Sequence, residues 1–319
     1  MMFQRLLVPL DGSSRAEQAL PVAARLARAS GGTVVLLRVV SPPTELAPST
    51  AAGQETSPGL IDADFAEATH YLQRVTRMSS LLDIHTETVV ISGEAVATIL
   101  STVDARQIDL IVLCSHGYTG MKRHVLGSVA EQIAHYAPAP VFLLREGEAE
   151  SAVFHHHGFD FLRVLVPLDG SPRAKAALVP AMQLLALLAA PEHRALHLTR
   201  VVVMPDIEQS SHSERAAIMQ EAEQYLNTTM EHIHEELPAN LAAEHTFSTT
   251  WSVTIDDDIA AGIIRVAEDG EWGEVSGSSD MIAMAIYEYP GLQLDATGSV
   301  TRRVLQGTRL PLLIVRPRS

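Results

Sequence analysis

A stretch of 16 residues occurs twice in this chain and constrains its fold more than any other feature. The segment "RLLVPLDGSSRAEQAL" at residues 5–20 returns as "RVLVPLDGSPRAKAAL" at residues 163–178, with 12 of 16 positions identical. This repetition indicates an internal duplication, so one folding unit is encoded twice. The 319 residues give each copy the length of an ordinary domain. We predict a first domain at residues 1–146, a linker at 147–160 and a second domain at 161–319.

Short runs of Val, Leu and Ile alternate with helical stretches in the first copy. We predict strands at about 5–10, 33–40, 85–91, 109–114 and 140–145. Helices are predicted at about 14–30, 61–82, 94–106 and 127–136. Strand-helix alternation requires crossover connections, which predicts an α/β fold with a parallel sheet covered on both faces by helices.

The second copy repeats this scheme with extra residues in its middle. Its strands are predicted near 163–168, 196–203, 243–250, 280–286 and 311–316. The offset between the copies is 158 at the first strand, 162 between "LLRVV" and "LTRVV", and 171 at the segment after the fourth strand. The second copy has therefore gained residues between matching elements.

Composition and charge exclude several classes of protein. No apolar run approaches the ~20 residues that span a bilayer, and the start "MMFQRLLVPLDG" breaks too early for a signal peptide. The single cysteine fits a reducing compartment, so we expect a cytoplasmic protein without a membrane partner. Net charge is −3 over residues 1–146 and −12 over 147–319, which argues against nucleic acid as a partner of either half. A phosphate ligand is easier to accommodate in the first half.

Three strand ends of the first copy converge on one predicted edge, where open parallel sheets bind ligands. Asp11 in "VPLDGS" follows the first strand, Val39 ends the second, and "CSHGYTGMKRHVLGS" follows the fourth. Gly117 leaves the backbone free to approach a ligand, and Gly127-Ser128 opens a helix whose unpaired N–H groups favour an anion. Lys122 and Arg123 lie between them and are suited to neutralise a polyphosphate, so the segment is predicted to be a phosphate cradle.

Each of these residues also has an ordinary structural interpretation. Ser128 is a candidate N-cap with Glu131 as its capping-box partner, and Asp11 a residue that closes a turn. Cys114 and His116 have the spacing of a nucleophile and its base, but a lone cysteine at a strand end is more often a small hydrophobic residue. The run His155–His157 is predicted to be solvated linker rather than a metal site, because adjacent side chains in an extended chain diverge.

Two common nucleotide motifs are excluded. The chain has no GxxxxGK[ST] phosphate loop, and no GxGxxG follows the first strand.

The motifs just described resemble those of the UspA-type universal stress proteins, in a tandem arrangement that covers nearly the whole chain. The spacing G-2x-G-9x-G-[S/T] of that family's ATP-binding members is nearly met by Cys114, Gly117, Gly127 and Ser128, with cysteine in place of the first glycine. The resemblance implies two Rossmann-like open parallel five-stranded sheets of order 3-2-1-4-5, packed as a pseudo-twofold pair through their last strands. It also implies further self-association as a possibility to test.

The resemblance further implies ATP, AMP or another adenine nucleotide in the first copy, with Mg²⁺ or Mn²⁺ bridging the phosphates. Asp11 would meet the ribose and adenine end, and the backbone of Val39 the adenine. The predicted cofactor-binding residues are Pro9, Asp11, Val39, Gly117, Lys122, Arg123, Gly127, Ser128 and Val129. No catalytic residue and no protein metal ligand is predicted.

The second copy departs from this pattern. It keeps Asp169, Val201 and the pair Gly298-Ser299, but Ala285 and Glu288 stand where the earlier glycines belong. A carboxylate facing a triphosphate repels it by about 1 kcal/mol at ~4 Å in water and by several times that in a drier site. The second site is therefore expected to be empty or to take a neutral or cationic ligand.

Three functions remain at this point. The first is a stress-response protein that binds an adenine nucleotide in its first domain and uses the second as a dimer-like partner and regulatory surface. The second is a slow ATPase or self-phosphorylating enzyme, with Ser115 or Ser128 as acceptor. The third is an interaction module without nucleotide.

Overall fold

A computed structural model describes residues 3–41, 58–115, 127–146, 162–189, 193–204, 212–233, 247–272, 275–286 and 300–317. The predicted linker and the residues Gly117, Lys122 and Arg123 lie outside these ranges, as do Glu288, Gly298 and Ser299.

The first repeat contains five strands and five helices in the described ranges. The strands are β1 (Arg5–Pro9), β2 (Thr33–Val40), β3 (His85–Ser92), β4 (Leu110–Ser115) and β5 (Val141–Arg145). The helices are α1 (Ser14–Glu17), α2 (Ala19–Ser30), α3 (Pro58–Val75), α4 (Ala95–Ala105) and α5 (Ser128–Tyr136), with a 3-10 turn at Ser79–Leu81.

The second repeat follows the same order with one addition. Its strands are β6 (Leu162–Pro167), β7 (Arg194–Val202), β8 (Ser248–Ile255), β9 (Glu271–Trp272), β10 (Val275–Ser276), β11 (Met281–Ala285) and β12 (Leu312–Val315). Its helices are α6 (Leu178–Leu188), α7 (His212–His232), α8 (Ile259–Asp269) and α9 (Val300–Gly307), with a 3-10 turn at Ala174–Ala177. Strands β9 and β10 form an antiparallel hairpin that the first repeat lacks in its described part.

Ten of these strands form one continuous sheet in the order β3-β2-β1-β4-β5-β12-β11-β6-β7-β8. Within each repeat the neighbouring strands run parallel, and the two repeats meet where β5 and β12 pair antiparallel. The cross-strand partners at this junction are Val141 with Ile314, Phe142 with Leu313, and Leu143 with Leu312. The predicted α/β class and the predicted mating of the last strands are confirmed.

The helices cover both faces of the sheet and bury two apolar cores. Each core contains side chains of both repeats, for example Leu6 with Val164 on one face and Leu7 with Leu165 on the other. Alternating residues of one strand thus enter different cores, as the pleat of a strand requires. Because both cores run through the β5–β12 junction, the two repeats share their packed interior.

Polar contacts across the junction reinforce this packing. Arg145 at the end of β5 is buried and donates to the carbonyl of Leu305 near the end of α9. In the opposite direction, Nη1 of Arg316 donates to the carbonyl of Tyr136, which ends α5, at 3.4 Å. Each arginine thereby places its charge near the negative end of a helix of the other repeat.

Three expectations from the sequence need correction. The helix predicted at residues 14–30 is two helices separated at Gln18, because Pro21 has no N–H to donate to Glu17 and interrupts the helix there. The strand predicted at 243–250 lies at 248–255, where its ladder with β7 pairs Ala195 with Ser248. The hairpin β9–β10 had no strand prediction at all, because its strands are two residues long.

Candidate functional site

The turn after β1 holds Asp11 in a fixed orientation. One carboxylate oxygen of Asp11 accepts hydrogen bonds from the N–H of Ser13 at 2.9 Å and from its hydroxyl at 2.5 Å. The Ser13 hydroxyl in turn accepts from the N–H of Ala16 at 3.2 Å and caps α1. Gly12 has φ of 87°, a left-handed conformation that favours glycine. The turn interpretation of Asp11 is therefore correct, and it places the carboxylate at the edge of the sheet.

The charge of Asp11 is stabilised within this turn. Burial alone would raise the pKa of Asp11, but the hydrogen bonds from Ser13 and the positive charge of Arg38 bring that pKa below its usual value. Asp11 is therefore ionised at neutral pH. An ionised carboxylate only accepts hydrogen bonds, so any group that bonds to it must be a donor.

Strand β2 brings a cation and an apolar side chain to the same edge. The guanidinium of Arg38 donates from Nη1 to the carbonyl of Leu10 at 3.3 Å, and a Cβ placed on Gly12 would lie 3.7 Å from its Nη2. Val39 follows it and is partly buried. Arg38 was not predicted as a site residue, although its recurrence as Arg200 in "LTRVV" was a signal for it.

The third contribution comes from the end of β4 and the start of α5. Helix α5 begins at Ser128, and Gly127 is its N-cap residue without any side-chain cap. The interpretation of Ser128 as an N-cap with a Glu131 capping box is therefore wrong. The carboxylate of Glu131 instead bonds Arg302 of the second repeat at 2.9 Å. The first N–H groups of α5 point away from the helix and favour an anion.

Two residues at the end of β4 are poor candidates for chemistry. Burial, followed by the charge of Glu146, raises the pKa of the Cys114 thiol to about 12, so it stays protonated at neutral pH. The hydroxyl of Ser115 is buried, donates to the carbonyl of Leu144 at 3.4 Å, and accepts from Arg145 at 3.3 Å. His116, the suggested base, lies outside the described residues.

These three contributions line one cavity of about 310 Å³ at the carboxyl edge of the first repeat. The predicted site residues that line it are Pro9, Asp11, Val39, Gly127, Ser128 and Val129. Arg15, Arg38, Ala95 and Ile99 also line it, and none of these was predicted. Ala95 and Ile99 were not predicted, because sequence spacing does not show which face of α4 lies toward the strand ends.

The second repeat has an equivalent cavity of about 570 Å³. It contains Asp169, whose carboxylate accepts from the N–H of Ser171 at 2.8 Å, as Asp11 does from Ser13. Val201 and Ala285 also line it, in the positions that correspond to Val39 and Cys114.

The described residues contain neither a metal-binding cluster nor a membrane-spanning helix. In those ranges, no group of three or more His, Cys, Asp and Glu side chains is arranged to hold a metal ion. Among the same residues, none of the helices has the length and apolar character to cross a membrane.

The doubly wound α/β fold, with its cavity at the carboxyl ends of the strands and a helix N-terminus beside it, defines the class of proteins that bind small ligands at this edge. The family described as "Universal stress protein family" matches residues 2–145 and 160–316, and the chain belongs to that family. A universal stress protein of Mycolicibacterium smegmatis is 25% identical over 319 residues, covering 98% of this chain and 97% of that protein. A universal stress protein of Methanocaldococcus jannaschii is 27% identical over 150 residues, covering 47% of this chain and 86% of that protein.

A solved structure supports the fold independently. The crystal structure of a universal stress protein from Archaeoglobus fulgidus superposes with a TM-score of 0.64 at 18% sequence identity, and the match covers 98% of both chains. This similarity covers both repeats.

Proposed function

We propose that the first repeat binds an adenine nucleotide, ATP or AMP, in a stress-response protein, with the second repeat as its dimer-like partner and regulatory surface. The observation that carries this proposal is the cavity that gathers the ends of β1, β2 and β4 beside the first turn of α5. Its volume of about 310 Å³ lies within the range of small-molecule sites, about 300 to 1,000 Å³.

The lining of this cavity supplies groups suited to the base, the ribose and the phosphates of a nucleotide. Leu37, Val39 and Leu113 provide apolar contact for a planar base, and the ionised Asp11 provides an acceptor for ribose hydroxyls. The N–H groups that open α5 at Ser128 favour phosphate oxygens. The cation of Arg38 also lines the cavity and lowers the cost of bringing in a polyanion.

The remaining parts of the proposal rest on the sequence. Gly117, Lys122 and Arg123 would complete the phosphate cradle, and Mg²⁺ or Mn²⁺ would be held by the phosphate oxygens. The division at residues 1–146, 147–160 and 161–319 is kept, with the nucleotide assigned to the first domain. The single cysteine agrees with a cytoplasmic location.

Calorimetric titration of the nucleotide-free full-length chain with ATP and AMP tests this proposal. Val39→Phe fills the first cavity, and Val201→Phe makes the same change at the equivalent position of the second. We expect one nucleotide per chain, with affinity weakened about tenfold or more by Val39→Phe and unchanged by Val201→Phe. Equal effects of the two substitutions would refute the assignment to the first repeat. Absence of heat with either nucleotide would favour the nucleotide-free interaction module.

A further inference from the structure

Four positions around the second cavity carry apolar side chains where the first repeat has polar or small ones. These four positions, which we call the mouth positions, are Val203, Ile218, Ile255 and Ile259. Val203, Ile218 and Ile259 line the cavity directly, and Ile255 is the ladder partner of Val202, which also lines it.

Strand pairing, helix starts and sequence alignment together show which residues correspond in the first repeat. Ile255 and Ser92 each end the outer strand, paired with Val202 and Val40 respectively. Ile259 and Ala95 each begin a helix after an acidic N-cap. Val203 is matched to Ser41 by the "LTRVV" alignment, and Ile218 to Asp64 by the Tyr-Leu pair, whose leucine is buried, in α3 and α7. The complete set of pairs is Ser41 with Val203, Asp64 with Ile218, Ser92 with Ile255 and Ala95 with Ile259.

Three of the mouth positions expose much of an apolar side chain to water, which is unfavourable. Val203 is 47% exposed, Ile255 49% and Ile259 37%. Single exposed apolar residues are common on protein surfaces, but a group of them around a concave site marks a binding surface. The first repeat achieves the same local fold with Ser41, Ser92 and Ala95, so the fold itself does not require them.

The interior of the second cavity continues this apolar surface. Leu168, Val201, Ile263, Met284 and Val300 line it, and its volume of about 570 Å³ exceeds that of the first cavity. A space of this size suits a small molecule of the kind that fills ordinary ligand pockets. The cavity shape therefore favours a small molecule over a flat protein surface.

Charge at the second cavity disfavours phosphate. Asp169 contributes a carboxylate, and the cation of Arg200 lies 3.5 Å from the carboxylate of Glu221. The guanidinium of Arg200 also lies over the ring of Tyr225, 5.5 Å from its centre. Among the described residues that line this cavity, Arg200 is the one cation and is engaged within the protein, while the carboxylate of Asp169 opposes a polyanion.

We infer that the second cavity binds a neutral, largely apolar small molecule that lacks phosphate. The mouth positions enclose its exposed part, and the interior residues contact its body. The two repeats then bind ligands of different chemical classes at equivalent edges, and this inference does not depend on nucleotide binding by the first.

Fluorescence titration of the full-length chain with N-phenyl-1-naphthylamine, a neutral apolar dye, tests this inference. The variant Val203→Ser/Ile259→Ala restores the residue types of the first repeat at two mouth positions. We expect it to weaken dye binding about tenfold or more, because apolar contact area is lost. The matched control is Leu82→Ser, which removes an apolar side chain that is 56% exposed in the first repeat, and it should leave dye affinity unchanged.

Saturating ATP and sedimentation measurements distinguish the competing outcomes. Dye that binds the wild type, resists displacement by ATP and is lost in the double variant supports the inference. Dye affinity equal in the wild type and the double variant overturns it, as does a wild type that binds no dye. A wild-type dimer that the double variant dissociates, with no dye bound to the monomer of either protein, would assign the mouth positions to a second copy and also overturn it.

Discussion

At the scale of single residues, His197 shows how the duplicated strands have diverged. His197 lies in β7 and is 1% exposed, and its ring nitrogens lie 2.8 Å from the hydroxyl of Thr250 and 2.9 Å from that of Ser252. Burial, with a smaller contribution from Arg163, lowers the pKa of His197 to about 3. The equivalent residue of the first repeat is Val35, so the histidine is a feature of the second repeat.

We predict that His197 makes the folded state less stable as pH falls. The unfolded histidine takes up a proton below its pKa of about 6.5, whereas the folded one stays neutral down to about 3. Between pH 7 and pH 5 this costs about 2 kcal/mol of unfolding free energy. Urea unfolding of the wild type and of His197→Val at pH 7 and pH 5 tests this prediction. The variant has no histidine at this position, so its unfolding free energy should fall by about 2 kcal/mol less than that of the wild type. An equal pH-dependent loss in both proteins would contradict it.

At the scale of elements, the sequence predicts strands with strong apolar runs better than strands whose bounds depend on pairing with a neighbouring strand. Strand β2 was predicted at its observed bounds, because "TVVLLRVV" is continuous and buried. Strand β8 was placed about five residues early, because its Ser- and Thr-rich sequence lies at the sheet edge and its register depends on β7. Arg38 and Ile99 line the cavity only because tertiary packing brings their strand and helix together, so their role was not predicted from the sequence either.

The junction strand β5 gives a prediction at this scale. Phe142 is fully buried and pairs with Leu313 of β12, so Phe142→Ala leaves a cavity in the core that the repeats share. We expect the unfolding free energy to fall by about 3 to 5 kcal/mol. Tyr136→Ala, at a side chain that is 49% exposed, is the control and should change it by about 0.5 kcal/mol or less. Chemical denaturation measures both, and similar small effects would show that the junction is not a core.

At the scale of the whole molecule, one sheet carries two cavities, one at the carboxyl edge of each repeat. The junction through β5 and β12 and the shared cores join these edges in one sheet. The net charge is −3 over residues 1–146 and −12 over residues 147–319, which is why we propose a phosphate ligand for the first repeat only. The duplication and the resemblance of the chain to a known family predicted the fold. Of the nine proposed binding residues, six line one cavity. The apolar mouth positions were missed, because single isoleucines and valines carry no motif.

Photolabelling of the full-length chain with 8-azido-ATP, followed by peptide mapping, tests the central claim most directly. We predict that labelled peptides come from residues 1–146 and that excess ATP suppresses the labelling. Labelling that ATP suppresses in residues 161–319 would contradict the assignment of the nucleotide to the first repeat.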